Sequence, residues 1–224
     1  MSRTAKKSSR RPEPVRTSGQ RRRLEIIEAV LRIIAREGLR AVSHRSVATE
    51  AGVPLAATTY YFRDLEDLVT ESFLHWSVAQ RRVVQGFHAA TLTALEAVGR
   101  EGADPRRLLQ EVAAAAAAYV LDQARGHPGD RVLEFAFLHE AARLPRLRAV
   151  VRARQLEDRR FLEDFHAALG SPEPAIDAEI SYSVLIGLEK SVLLADPDST
   201  EAAAVRRVLD HYLESVFAAA GRPS

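Results

Sequence analysis

Few residues of this 224-residue chain stand in an arrangement that could carry out bond-making chemistry. There is no cysteine, which excludes thiol catalysis, a disulfide framework and any cysteine-held zinc or iron-sulfur site. The seven histidines, His44, His75, His88, His127, His139, His166 and His211, are scattered, with no HExxH pair, GxSxG elbow or phosphate-cradling glycine loop around them. His139-Glu140 and Asp164-Phe165-His166 put acid-base groups side by side, but neighbours on a helix diverge around its axis. The reading is a protein that is not an enzyme and needs no cofactor or metal.

Charge is the more informative chemistry. Arg3, Lys6, Lys7, Arg10, Arg11, Arg16, Arg21, Arg22 and Arg23 face Glu13 alone, so the first 23 residues carry +8 and the rest of the chain −6, within a net charge of +2. A basic arm on a mildly acidic body points to an anionic partner met at one end, nucleic acid or a membrane surface. Residues 1 to 19 lack the amphipathic basic helix and apolar anchors of a membrane reader. No apolar run approaches the roughly 18 residues of a membrane span, and no secretory signal is present, so a soluble cytoplasmic protein without membrane contact is expected.

Beside the arm lies the segment Ser43-His44-Arg45-Ser46-Val47-Ala48-Thr49-Glu50-Ala51-Gly52-Val53-Pro54, followed by Leu55-Ala56-Ala57-Thr58-Thr59-Tyr60-Tyr61-Phe62. Two short helices crossing over a tight turn need a small residue where the backbones approach, a turn residue tolerant of positive φ, and apolar neighbours beneath. Ala48, Gly52 and the set Val47, Ala51 and Val53 supply these in turn.

The elements that position this segment are helical throughout. Leu24, Ile27, Val30, Leu31 and Ile34 form one stripe of a helix from about 20 to 37, and Gly38 stands where a capping glycine belongs. Asp64 caps a longer helix, and proline or glycine then punctuates the chain at Pro105, Gly126-His127-Pro128-Gly129, Pro145, Gly170-Ser171-Pro172 and Pro197. Helices are expected near 105–125, 130–143, 145–169, 174–195 and 198–219, with the alanine run 113–118 letting two of them approach closely. With no strand alternation anywhere, the fold class is all-α. The expected division is a flexible basic arm over 1–19, a three-helix helix-turn-helix domain over 20–63, and a helical ligand-binding and dimerisation domain over 64–224.

On the helix-turn-helix residues, the aromatic element Thr59-Tyr60-Tyr61-Phe62 and the following Asp64-Leu65-Glu66-Asp67-Leu68, the sequence closely resembles the TetR family of bacterial transcriptional regulators. The resemblance in motif covers about residues 21 to 70, and in helix number and size the whole chain. Thr59 stands where the family usually has tyrosine, and Leu65 where it usually has a phosphate-binding lysine.

Carried over by position, the resemblance implies that Ser43, His44 and Arg45, with Leu55, Ala56, Ala57, Thr59, Tyr60 and Tyr61 on the recognition helix, face double-stranded operator DNA. Ser43 would bond phosphate and Arg45 is the candidate for bidentate guanine recognition. Leu55, Ala56 and Ala57 offer only apolar contact. It further implies a ligand-responsive repressor released by a small-molecule effector. The alternatives are an activator of the same fold or a non-enzymatic interaction module using the arm.

The helix near 174–195 is apolar on nearly every face, and one chain can hardly bury both it and the last helix. A homodimer results, with Ile180, Val184, Gly187, Ser191, Leu209, Tyr212 and Val216 at its interface and two recognition helices set about one DNA turn, roughly 34–36 Å, or a multiple apart. Phe73, Trp76, Tyr119, Phe135, Phe165 and Tyr182, with His139 as polar anchor, are the candidate ligand-binding residues. Glu189, inside an apolar helix, meets either a cation or, the favoured reading, an intrachain salt bridge. Arg143, Arg146, Arg148, Arg152 and Arg154 read as solvated helix surface, with an anionic ligand or the DNA-binding domain as other partners.

Overall fold

Helix breakers set the architecture. Prolines occupy the first turn of four helices, where a missing N–H costs nothing, and the computed structural model places helix starts at Pro105, Pro128, Pro145 and Pro174 accordingly. The structure describes residues 18–98, 105–196 and 201–220, and among them it contains nine α-helices and no strand. These are α1 (Ser18–Glu37), α2 (His44–Ala51), α3 (Leu55–Tyr61), α4 (Leu65–Val98), α5 (Pro105–Leu121), α6 (Pro128–Ala141), α7 (Pro145–Ala168), α8 (Pro174–Leu194) and α9 (Glu201–Ala220). Helix α1 begins two residues before the sequence expectation, and the rest of the basic arm, residues 1–17, lies outside the described residues. None of the described helices is long and apolar enough to cross a membrane.

The apolar stripe of α1, with Ile26, Val30, Ile33 and Ile34 buried, packs on α2, α3 and the start of α4 through Val47, Phe62, Leu68 and Phe73. That cluster does not stop at residue 63. Leu133, Phe137 and Ala141 of α6 and Leu147 and Val151 of α7 belong to the same continuous core, so the first three helices are seated on the body rather than strung from it. A second cluster joins α5, α8 and α9. There the small side chains Ala113, Ala116 and Ala117 let α5 lie against Val205, Leu209 and Leu213 of α9, the close approach that the alanine run predicts.

Polar contacts reinforce the seat. Arg146, in the first turn of α7, reaches across to the start of α4, donating to Asp64 at 2.6 Å and Glu66 at 3.2 Å, while its backbone N–H donates to Glu66 at 2.7 Å. One member of the arginine cluster therefore ties the body to the helix that leaves the helix-turn-helix. Arg148 is spent on the carbonyls of Ala141 and Ala142.

Candidate functional site

The turn between α2 and α3 is built by local chemistry. Ser43 caps α2 reciprocally: its Oγ accepts from the Ser46 N–H at 3.1 Å, and its own N–H donates to Ser46 Oγ at 2.9 Å. Gly52 ends α2 at φ 64°, a left-handed conformation open to glycine, and Val53 N–H closes the turn on the Ala48 carbonyl at 3.0 Å. Thr58, fully buried, donates to the Leu55 carbonyl at 2.8 Å, which leaves its oxygen to accept from His44 Nδ1 at 3.1 Å and pins α2 to α3. Glu50 sits between Arg32 and Arg36 at 2.7 and 3.0 Å and fixes α2 against α1, and these two arginines hold its carboxyl below the usual range. Arg23 bonds Glu71 at 2.8 Å and lies over the Phe62 ring, locking α1 to α4.

Ser43, Arg45, Leu55, Ala56, Thr59 and Tyr60 are exposed, Tyr60 at 81%. The Arg45 guanidinium forms no ion pair among the described residues. Three of the nine residues assigned to DNA contact are turned partly inward. His44 is engaged with Thr58, and Ala57 and Tyr61 pack against the first core, with Tyr60 edge-on to Tyr61 at 5.0 Å. The reason is helical geometry: on the seven-residue α3, Ala57 and Tyr61 stand four apart on the core side. Arg21 and Arg22 are exposed in the first turns of α1 and continue the positive charge of the sequence that precedes them.

A cavity opens in the body between α4, α5, α6, α7 and α8, with about 830 Å³ of space between side chains, part of it open to solvent. Of the candidate ligand-binding residues, Phe73, Trp76, Tyr119 and Tyr182 line it. Phe135, His139 and Phe165 do not. Helix α6 turns Arg131, Glu134 and Leu138 to the cavity, so Phe135 and His139, one position further round, miss it, and His139 is exposed. Phe165 is buried in the second core and lines a separate apolar cavity shared with Phe161, Val184 and Leu209.

Charged residues in the main cavity were mostly invisible in the sequence. Arg131, only 4% exposed, donates to Glu189 at 2.9 Å and to Gln80 at 3.1 Å, and pairs with Glu134 one turn away. The Arg131 Nε has no hydrogen-bond partner. Arg154 pairs with Asp158 at 2.6 Å on the facing wall. Burial pushes Glu189 up to about 7, raises Glu134 despite the neighbouring guanidinium, and pushes Asp158 up to about 6. Burial, helped by Arg154, pushes His88 down to about 4, leaving a neutral ring stacked on Phe161 at 3.4 Å. Trp76 donates its ring N–H to Asp130 at 2.9 Å at the edge of the same space.

On the far side of the body, α8 exposes Ile176, Ile180 and Leu194, and α9 exposes Val208, while Val184 and Gly187 are half-buried and Ser191 is exposed. Three other residues assigned to the interface are engaged within the chain. Leu209 and Val216 are buried, and the Tyr212 hydroxyl bridges Ser181 at 2.9 Å and the Asp177 carbonyl at 3.0 Å. The alanine-lined α5 covers the inward face of α9, a packing that the apolar pattern of α9 alone could not reveal.

Residues 107–215 match a family model described as a tetracyclin repressor-like C-terminal domain. No curated protein matches the chain by sequence. Among solved structures, the multidrug binding protein EbrR complexed with ethidium is 30% identical over 85% of this chain and 98% of its own, with a TM-score of 0.56. A member of the TetR family from Streptomyces coelicolor is 29% identical over 85% of this chain and 97% of its own, with a TM-score of 0.57. A transcriptional regulator from Rhodococcus shares the fold at 22% identity, covering 93% of this chain and 100% of its own, with a TM-score of 0.63. The fold thus recurs in relatives that span nearly the same length, and the chain belongs to the TetR family of transcriptional regulators.

Proposed function

We propose that the protein is a homodimeric repressor that binds a pseudo-palindromic operator and releases it when a small molecule enters the body cavity. The observation that carries this reading is the double duty of α6. Its Arg131, Glu134 and Leu138 line the cavity, while its Leu133, Phe137 and Ala141 share a core with α1, the helix on which the helix-turn-helix rests. A ligand that prefers one placement of α6 shifts the spacing of the two recognition helices, and operator affinity changes by the same coupling free energy, typically about 1–3 kcal/mol. The ethidium held by EbrR supports a ligand-responsive role for the equivalent body here.

The dimer reading rests on the exposed apolar face of Ile176, Ile180, Leu194 and Val208, with Gly187 open enough to allow close helix approach. Arg45 is the residue for guanine and Tyr60 for backbone positioning, with the arm supplying salt-sensitive affinity. The test is binding to the DNA upstream of the protein's own coding sequence across a salt series, for the native chain and the Arg45→Ala/Tyr60→Ala double variant. Specific binding with a steep salt slope, lost in the double variant, is expected. Sequence-indifferent binding that the variant leaves unchanged would overturn the assignment of α2 and α3 as the reading surface.

A further inference from the structure

The cavity's charges do not balance. Glu134, Asp158 and Glu189 face Arg131 and Arg154, and since Arg154 is taken up by Asp158, one guanidinium is left for two carboxyl groups. Arg131 is nearly inaccessible and Glu189 is 2% exposed, so their charges are poorly hydrated, while Glu134, 20% exposed, lines the cavity beside them.

No other group facing them supplies the missing charge. From α4 come His88, which burial keeps neutral, and the amide of Gln80; from α5 and α8 come the hydroxyls of Tyr119 and Tyr182, both made less acidic by burial. From α7 come Arg154 and Asp158, already paired, and in the first turn of α6 Asp130 adds negative charge while accepting from Trp76. The walls are the aromatic faces of Phe73, Trp76, Phe87 and Tyr119, the last two stacked at 4.6 Å. Aromatic faces attract cations, and more strongly where water is excluded.

We propose that this cavity takes an organic cation with a flat aromatic body, whose positive charge sits against Glu134 and Glu189 and replaces the proton these two carboxyl groups otherwise hold beside Arg131. One proton goes to solvent for each cation bound, and no bond other than O–H is broken. The inference rests on the ligand-responsive reading and adds to it the charge and shape of the ligand. Burial raises both carboxyl groups, and with Glu189 pushed up to about 7 the exchange at that residue falls within the ordinary working pH range.

The experiment is titration of the DNA-free protein with three probes: ethidium, its uncharged parent ring system phenanthridine, and the anionic dye anilinonaphthalene sulfonate. Binding is read by calorimetry and by emission of Trp76, the chain's single tryptophan. Each titration is run between pH 5.5 and 8 on the native chain and on Glu134→Gln and Glu189→Gln, which lie on different helices and keep side-chain shape. Thermal melts establish that each variant is folded.

The expected result is ethidium binding that tightens with pH by at most about tenfold per pH unit and levels off above about pH 7. Loss of one carboxylate should weaken it about tenfold in each variant and flatten its pH dependence. Phenanthridine or the anionic dye binding as tightly as ethidium, or ethidium binding indifferent to both substitutions and to pH, overturns the cation site while leaving a ligand-controlled regulator standing. Absence of binding by all three probes overturns the cation site as well, and the operator assay then judges the regulatory reading on its own.

Discussion

Replacing Phe137 with alanine tests whether the helix-turn-helix and the body are one cooperative unit. The ring is fully buried, lies edge-on to Phe73 at 5.3 Å and within 5.9 Å of Trp76, and sits in the cluster that also holds Ile26, Ile33 and Val47. A buried Phe→Ala change costs about 3–5 kcal/mol, and the loss of aromatic pair contacts here argues for the upper half of that range. For a chain of this size each kcal/mol lowers Tm by about 2–4 °C, so a fall of about 8–20 °C is expected. Far-UV circular dichroism and Trp76 emission, followed at one fixed protein concentration because assembly shifts Tm, should report a single coincident transition in both proteins. Phe137→Leu, which keeps most of the volume, should recover most of the loss. Two separated transitions, or a fall of less than about 3 °C, would show that α6 is not part of the core beneath the helix-turn-helix, and the coupling argument would fail with it.

Two further perturbations follow from named contacts. Ile176→Glu/Ile180→Glu places two charges on the exposed apolar face of α8 without touching either core, so it should shift the protein from dimer to monomer in sedimentation while leaving helical content unchanged; a dimer that survives would move the interface elsewhere. For Glu189 the sign is set by its raised value. A carboxyl held near 7 when folded and near 4.5 when unfolded contributes stability that is full below about pH 4.5 and lost as pH rises to about 7, at most about 3 kcal/mol. Glu189→Gln should therefore gain Tm relative to the native chain as pH is raised from 5 to 8, and a difference independent of pH in the melts would contradict the burial of that charge.

Much of this fold could be read from the chain because its signals are local. Pro145 and Pro174 start helices wherever they fall, Ser43 with Ser46 and Gly52 bracket a helix within ten residues, and the stripe from Ile27 to Ile34 shows its buried face by spacing alone. The cavity was legible only in its aromatic residues. Arg131 reads as one more surface cation on a helix of mixed composition, and although the apolar helix around Glu189 points to an intrachain salt bridge for it, nothing local names the partner, which stands 58 positions away. Phe135 and His139 stand off the cavity for a related reason: one residue is 100° on a helix, and periodicity does not fix which of two adjacent faces meets a cavity. On α9 the apolar pattern suggests a dimer interface at Leu209 and Val216, whereas both are buried within the chain itself, a cover that spacing alone does not reveal.

The same arginine links the charge imbalance to the proposed regulatory movement. Arg131 holds α6 to α8 through Glu189 and to α4 through Gln80, so its hydrogen bonds set how α6 lies in the body. A cation seated at Glu189 competes with Arg131 for that carboxylate, and the bond from α6 to α8 weakens as the ligand's own attraction grows. Leu133 and Phe137, two and six residues along the same rigid helix, then carry any displacement into the core beneath α1. A neutral aromatic of the same shape would fill the cavity without entering that competition. On this argument the charge of the ligand, more than its size, decides whether filling the cavity moves the DNA-reading helices.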